Sequence, residues 1–566
     1  MFSKTKRLLE VTVIFNKSNT FGLQNDATLL QRSLAGLARV RFADPLEPPV
    51  TSDVNIHLET PIYTYVPWSN YNVFIANPEH YLKESYEPYM KHFDIVITKE
   101  DLQIQGAHIL PWSLLPFPKT KVTPVKEFLY LLGGSQNKRK AAKELLSVWK
   151  PSYPVINVYS IEPLENNKVQ QSNINYIVKN LTQEERHTLL QKYQGHVAVS
   201  FSEGFGYTAA EAEYVNAYTI LNTIPIYLQD YKESKNVAWL QTPTLKNNHL
   251  YPYGSFVSDF SSVEEDLEKA IQGFENYKSS VSNTEFKQLY FKKRLIEILD
   301  TLPKTYIQKP KLPPILNVED CPPISIITLM YNRRKFFDLA CHNIMISDYP
   351  KDKIEWILVE DSDNPNEDSS DKIISTAEQS KPLEIIYLPL KKKTPISEKR
   401  NLGVMKAKND IVLFMDDDDH YPITSFRRRV AWLTLHRMKA KATVCTTIAC
   451  YDLKKGISAV NSPPLNLPLG QRISEATLTC YKSWFLERMF DKTVHIGEGD
   501  SLIKGRESDV MEIPPQQILV AFSHGNNVSS RRIPSNDSVE PSCFWGFPQE
   551  YLKFIHSLAN VSLILN

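Results

Sequence analysis

The chain has 566 residues, enough for two or more domains with sizeable cores, and 42% hydrophobic with 23% charged residues describes an ordinary globular composition. A formal net charge of +1 argues against bulk electrostatic binding of nucleic acid, although a local basic cluster remains at Lys391, Lys392 and Lys393. No apolar run approaches bilayer length and residues 1–10 are too polar to begin a signal peptide, so the expected compartment is the cytoplasm. Residues 9–15 (LEVTVIF) read as a first buried strand, followed by a polar loop and a helical stretch at 27–37. Further strands are predicted at 53–57, 71–76 and 93–98, an alternation that suggests a parallel sheet with crossover helices.

A second set begins at residues 127–132 (EFLYLL), with Gly133, Gly134 and the basic helix start Lys138, Arg139 and Lys140. Strands at 154–159 and 197–201 follow, with a helix at 183–193 between them. Residues 202–212 read SEGFGYTAAEA, and glycines at a strand-to-helix junction let backbone N–H groups approach a diphosphate at the positive end of a helix. Gly204, Gly206 and Ala209 match the dinucleotide pattern G-x-G-x-x-A, which leaves a nicotinamide dehydrogenase as one alternative. The acids Glu203 and Glu211 bracket these glycines, and the stretch resembles the EGFG…EA signature of family 4 glycosyltransferases. That resemblance implies a GT-B fold of two Rossmann-like halves, about 1–122 and 123–302. It places Glu203 by the donor sugar as the catalytic candidate of this half, with Glu211 on the nucleotide ribose. It also implies a donor-phosphate role for Gly133, Gly134, Lys140 and Gly204.

Six prolines fall between residues 301 and 323, a density that resists helix and central strand, so 303–323 is expected to be a linker between separately folding pieces. Beyond it, residues 324–330 (ISIITLM) begin another sheet, Tyr331-Asn332-Arg333 turns into a helix at 335–345, and 354–359 (IEWILV) runs into Glu360 and Asp361. Residues 383–388 form a third strand and Lys399-Arg400-Asn401-Leu402-Gly403 opens a helix. Residues 411–421 read IVLFMDDDDHY, a buried strand ending in Asp416, Asp417, Asp418 and Asp419. Four adjacent carboxylates repel one another, and a divalent cation held with a phosphate would offset that cost. The spacing excludes an EF-hand, because Tyr421 and Arg427 fall where its glycine and terminal glutamate belong.

This succession of motifs resembles family 2 glycosyltransferases of the GT-A fold over about residues 322–530, within a domain expected at 324–566. The resemblance implies that Asp361 binds the base or ribose, with Arg400 and Asn401 near the nucleotide. Asp418 would be the direct metal ligand, and Asp416 the partner acid of the D-x-D pair, shared between ribose and metal. Downstream, a strand is expected at 474–479 and a helix at 482–489. Residues 495–502 (HIGEGDSL) resemble the family's acceptor-side acidic motif, which implies Asp500 as the candidate general base, with Glu498 in reserve. A late histidine, His524, is a further metal-ligand candidate. The six cysteines, all after the midpoint, lack zinc-type spacing and read as reduced thiols, and the sequons at Asn180 and Asn527 mean little without secretion.

Together these readings describe an α/β glycosyltransferase moving sugar from a nucleoside-diphosphate-sugar donor to a glycan or other hydroxyl acceptor. Its C-terminal part would invert configuration with Mn²⁺ or Mg²⁺. Its N-terminal part would carry a second, metal-independent transfer or serve as a binding scaffold. A carbohydrate- or nucleotide-binding scaffold without turnover is the alternative of a different class.

Overall fold

The computed structural model describes residues 7–119, 123–164, 171–246, 256–278, 284–303, 312–436, 438–465, 467–494, 497–524 and 546–563. Linker residues 304–311, His495, Ile496, Cys543 and residues 525–527 with the Asn527 sequon lie outside them. Among the described residues no helix is long and apolar enough to cross a membrane, and Cys321, Cys341, Cys445 and Cys480 are free thiols.

The first half contains two six-stranded parallel sheets. In one, Leu9–Ile14 pairs with Ala38–Ala43 on one side and Ser52–Leu58 on the other, and Ser69–Ala76, Ile95–Thr98 and His108–Ile109 extend it. Ser52–Leu58 and Ser69–Ala76 are buried along their whole length, as strands covered on both faces must be. In the other sheet Val125–Gly133 lies between Tyr193–Val197 and Ile156–Ser160, with Tyr218–Asn222, Val237–Leu240 and Ile174–Val178 outside them. The Ser135 side chain caps the helix Gln136–Ser147 by accepting from the Lys138 backbone N–H. Thr182 and Glu185 form a capping box at the head of Gln183–Lys192.

Several boundaries differ from the sequence reading. The strand Ala38–Ala43 was not expected, because ARVRFA alternates half-exposed positions instead of showing an apolar run. The ladder expected at 197–201 occupies Tyr193–Val197; Gly195 admits the Phe128 ring, which an added Cβ would meet at 2.6 Å. The strand expected at 474–479 is a 3-10 turn, Glu475–Thr477, and the strand itself is Thr479–Tyr481.

The second half is built on a seven-stranded sheet. Glu384–Leu390, Ile354–Asp361, Ile324–Tyr331 and Ile411–Phe414 run parallel in that spatial order. Thr479–Tyr481 then adds antiparallel, followed by Ala442–Val444 and Val510–Glu512. The chain leaves the central strand Ile324–Tyr331 to one side and returns on its other side as Ile411–Phe414. This reversal is a topological switch point, and open α/β sheets bind ligands beyond the carboxyl ends of the strands at such points. A smaller sheet of Ile457–Asn461, Ile448–Asp452 and Val520–Ser523 closes one flank.

The halves pack on each other. Trp68 lies 6.0 Å from Trp432 between ring centroids, the Pro67 carbonyl is 2.9 Å from His436 Nε2, and Tyr89 is buried within an apolar cluster of the second half.

Candidate functional site

The four acids leave the end of Ile411–Phe414 in different directions. Ligand oxygens of Asp416, Asp418 and Asp419 lie within 4.8 Å of one another. Hard oxygen donors gathered this closely are the kind that a divalent cation takes. Asp418 Oδ2 is 3.0 Å from His524 Nε2, which brings the late histidine to the expected ligand. Arg333, from the turn after Ile324–Tyr331, donates to Asp418 Oδ2 at 2.7 Å and Asp417 Oδ1 at 3.0 Å. Burial opposes the Arg333 charge, but Asp417 and Asp418 outweigh it and hold the guanidinium protonated. Asp417 is pushed up to about 7 by burial; Arg333 opposes the shift, and Asp418 and Asp416 add to it. Asp419, fully buried, accepts from the Phe522 backbone N–H at 3.1 Å and so ties the acidic turn to the strand Val520–Ser523.

The residues expected on the donor side come from the same edge. Asp361, at the end of its strand and buried, accepts from Lys399 Nζ at 2.5 Å and from the Thr394 backbone N–H at 2.6 Å. Lys399 was not singled out from sequence, although it adjoins Arg400; burial lowers its pKa and Asp361 opposes that. The helix Ile396–Lys406 carries both cations. Arg400 is ion-paired with Glu498 and lies 3.8 Å from Asp416. Asn401, expected at the nucleotide, instead clasps the Phe490 backbone, donating to its carbonyl at 2.8 Å and accepting from its N–H at 3.1 Å.

Arg400 thus joins the acid cluster to the segment of the expected base. Glu498 is committed to that ion pair, while Asp500 stands in the first turn of the short helix Gly499–Ile503. Glu475 also holds this segment: half-buried, with its pKa raised by desolvation and that rise opposed by Arg400, it accepts from the Gly499 N–H at 3.1 Å. Sequence reasoning named Asp419 only as one of the four acids and did not single out Arg333 or Glu475, because folding alone brings those two to the cluster and to the Asp500 segment.

In the first half, Gly204, Gly206 and Glu203 lie at the expected strand-to-helix junction, where Gly206 has φ +79°. Lys138 Nζ, not Lys140, reaches Glu203, at 3.3 Å, and Lys140 is exposed. Glu211 is paired with the Arg186 guanidinium. Asn77, from the other sheet, sits over Gly204 so closely that an added Cβ would meet its Oδ1 at 1.8 Å. Gly133, at φ +54°, ends its strand, and Gly134 faces Ile161.

Residues 325–466 match the family described as Glycosyl transferase family 2. Among solved structures, the chain is similar to a mannosyltransferase, PcManGT from Pyrobaculum calidifontis in complex with GDP-Man and Mn²⁺ (17% identity, 36% of this chain and 59% of that one, TM-score 0.29). It is also similar to residues 1–349 of S. aureus TarS (17% identity, 35% of this chain and 60% of that one, TM-score 0.28). A complex of TarS with UDP-GlcNAc gives 17% identity over 36% of this chain and 58% of that one, with a TM-score of 0.28. This chain spans less than two thirds of each of these neighbours' lengths. No curated protein matches it.

Proposed function

We propose that the C-terminal half transfers a sugar from a nucleoside-diphosphate-sugar to a hydroxyl of a glycan or other acceptor, with inversion and with Mn²⁺ or Mg²⁺. The observation that carries this reading is the convergence of Asp416, Asp418 and Asp419 beyond the end of Ile411–Phe414, with Arg400 bridging Asp416 to the Glu498–Asp500 segment. Asp361 and Lys399 form the nucleoside end of the site. Asp416, Asp418 and Asp419, with His524 beside Asp418, would hold the cation. Bound there, the cation would supply Lewis-acid neutralisation of the leaving diphosphate. Asp500 takes the acceptor hydroxyl proton as its oxygen bonds to the anomeric carbon, while the bond from that carbon to the diphosphate oxygen breaks. Such general-base help is worth about 10²–10⁴-fold. Arg400, through its ion pair with Glu498, holds the segment bearing Asp500 in place.

Two variants test it. Asp418→Asn should lose cation-dependent turnover of the donor. Asp500→Asn should bind nucleotide with Mn²⁺ as the wild type does and lose transfer. Full activity in the first removes the acid cluster from the mechanism, and collapse of nucleotide affinity in the second reassigns Asp500.

For the N-terminal half, the contacts Lys138–Glu203, Arg186–Glu211 and Asn77 over Gly204 favour a scaffold over a second transferase. On that reading, EDTA abolishes all turnover by the full chain. Metal-independent transfer sensitive to Glu203→Gln would restore the second active site.

A further inference from the structure

The surface joining the halves reaches the acceptor side of the proposed site. The helix Leu469–Arg472 and the helix Gly499–Ile503 meet backbone to backbone: a Cβ added to Gly470 would meet Asp500 Cα at 2.5 Å, and one added to Gly499 would meet the Gly470 carbonyl oxygen at 2.6 Å. Two glycines in contact leave no slack, so a displacement of one helix is passed to the other. Arg472, the last residue of the first helix, is buried and paired with Glu512 at 2.9 and 3.2 Å. Glu512 also accepts from Thr446 Oγ1 at 2.8 Å.

The N-terminal half completes the wall around this pair. Tyr89 is 4% exposed and shares an apolar cluster with Leu469, Leu502 and Ile503, residues of the same two helices. Tyr63 stacks on Tyr89 with centroids 3.8 Å apart and 26° between planes. Both phenols feel the charges of Glu512 and Arg472. A buried ion pair depends on the low-dielectric cover around it, and opening that cover to water weakens the attraction.

We propose that the N-terminal half is a positioning element for the acceptor side: Tyr89, stacked on Tyr63, seals the Arg472–Glu512 pair and holds Leu469–Arg472 against the turn that carries Asp500. Tyr89 and Arg472 are positioning residues, since they act on the reaction through Gly470 and Asp500. The inference rests on the reading of Asp500 as the base. A misplacement of ~1 Å far from the chemistry can cost about 100-fold in rate, so a modest shift is enough to be read.

The test uses the full chain with Tyr89→Ala, Tyr89→Phe and Gly470→Ala. In Tyr89→Ala, hydrogen exchange should rise in residues 469–472 and 499–503 and stay unchanged in the donor-side helix 396–406. The ratio of transfer to donor hydrolysis should fall about 10-fold, with nucleotide affinity in Mn²⁺ retained. Tyr89→Phe, which keeps the ring, should behave as wild type. Gly470→Ala, which pushes the same helices apart from within, should reproduce the Ala phenotype and stands in if Tyr89→Ala does not fold. Unchanged protection at 499–503 in the Ala variants, or nucleotide affinity lost in step with transfer, overturns the proposal. If the wild type turns over no donor, the transferase reading fails while the exchange data still decide the positioning role.

Discussion

Arg333 shows how one side chain can hold a cluster of like charges together. It spans Asp417 and Asp418 from a strand end that is distant in sequence, and meets on Asp418 the same oxygen that His524 does. Removing one partner of a mostly buried ion pair exposes the remaining repulsion, so Arg333→Ala should lower the stability of the cation-free chain by about 1–3 kcal/mol. The stabilisation gained on adding Mn²⁺ should be larger than in the wild type. Thermal melts with and without Mn²⁺ measure both. A second residue-scale expectation concerns Glu79, pushed up to about 7 from an ordinary 4.5 by burial and by Glu203, with His80 and Lys138 opposing and Glu59 adding. Between those values the folded chain keeps a proton that the unfolded chain has released, so stability falls as pH rises through the window. Glu79→Gln stays neutral and leaves the Asn137 amide an acceptor. Its melting temperature relative to wild type should climb between about pH 5 and about pH 8; a constant difference would remove Glu79 from the titration.

At the scale of elements, the proposed donor side depends on one close approach. The helix Ile396–Lys406 lies on the strand Ile324–Tyr331 with Gly403 facing Ile327, whose Cγ2 an added Cβ would meet at 2.6 Å. The same helix sets Lys399 on Asp361 and Arg400 on Glu498. Gly403→Ala should therefore lift the helix from the sheet at a cost of about 1–3 kcal/mol, the usual range for overpacking a core. Because both cations move with it, nucleotide affinity should fall more than acceptor saturation; calorimetric titration of nucleotide with Mn²⁺ is the measurement. An unchanged affinity would show that the core absorbs the methyl elsewhere.

For the whole molecule, the proline-rich segment suggests two independent pieces, and the packing argues for a joined pair. Trp68 and Tyr89 of the first half are buried in apolar clusters of the second, and the Pro67 carbonyl lies 2.9 Å from His436 Nε2. Truncating a large buried aromatic typically costs about 3–5 kcal/mol. A fragment beginning near Pro322 should thus melt well below the same half in the full chain and tend to associate through the uncovered surface around Trp432. Differential scanning calorimetry and size-exclusion chromatography test this; a fragment as stable as in the full chain would make the interface incidental.

Much of the architecture was legible in the residues themselves. Apolar runs such as 9–15, 324–330 and 411–415 have few ways to hide from water other than as buried strands, and the order of strands and helices implied parallel sheets. The acids after Ile411–Phe414 stood out because four adjacent carboxylates are costly unless something compensates them. The tertiary structure alone decided what they meet: Arg333 from a neighbouring strand end, His524 from a small second sheet, and Glu475 behind the turn that leads to Asp500. It also decided that Lys138 reaches Glu203, that Asn401 serves the Phe490 backbone, and that Tyr89 belongs to the core of the other half. The physical reason is the range of the forces. Burial of an apolar run is written in a few consecutive residues, whereas ion pairs and ring stacks act over a few ångströms between positions the chain brings together only by folding.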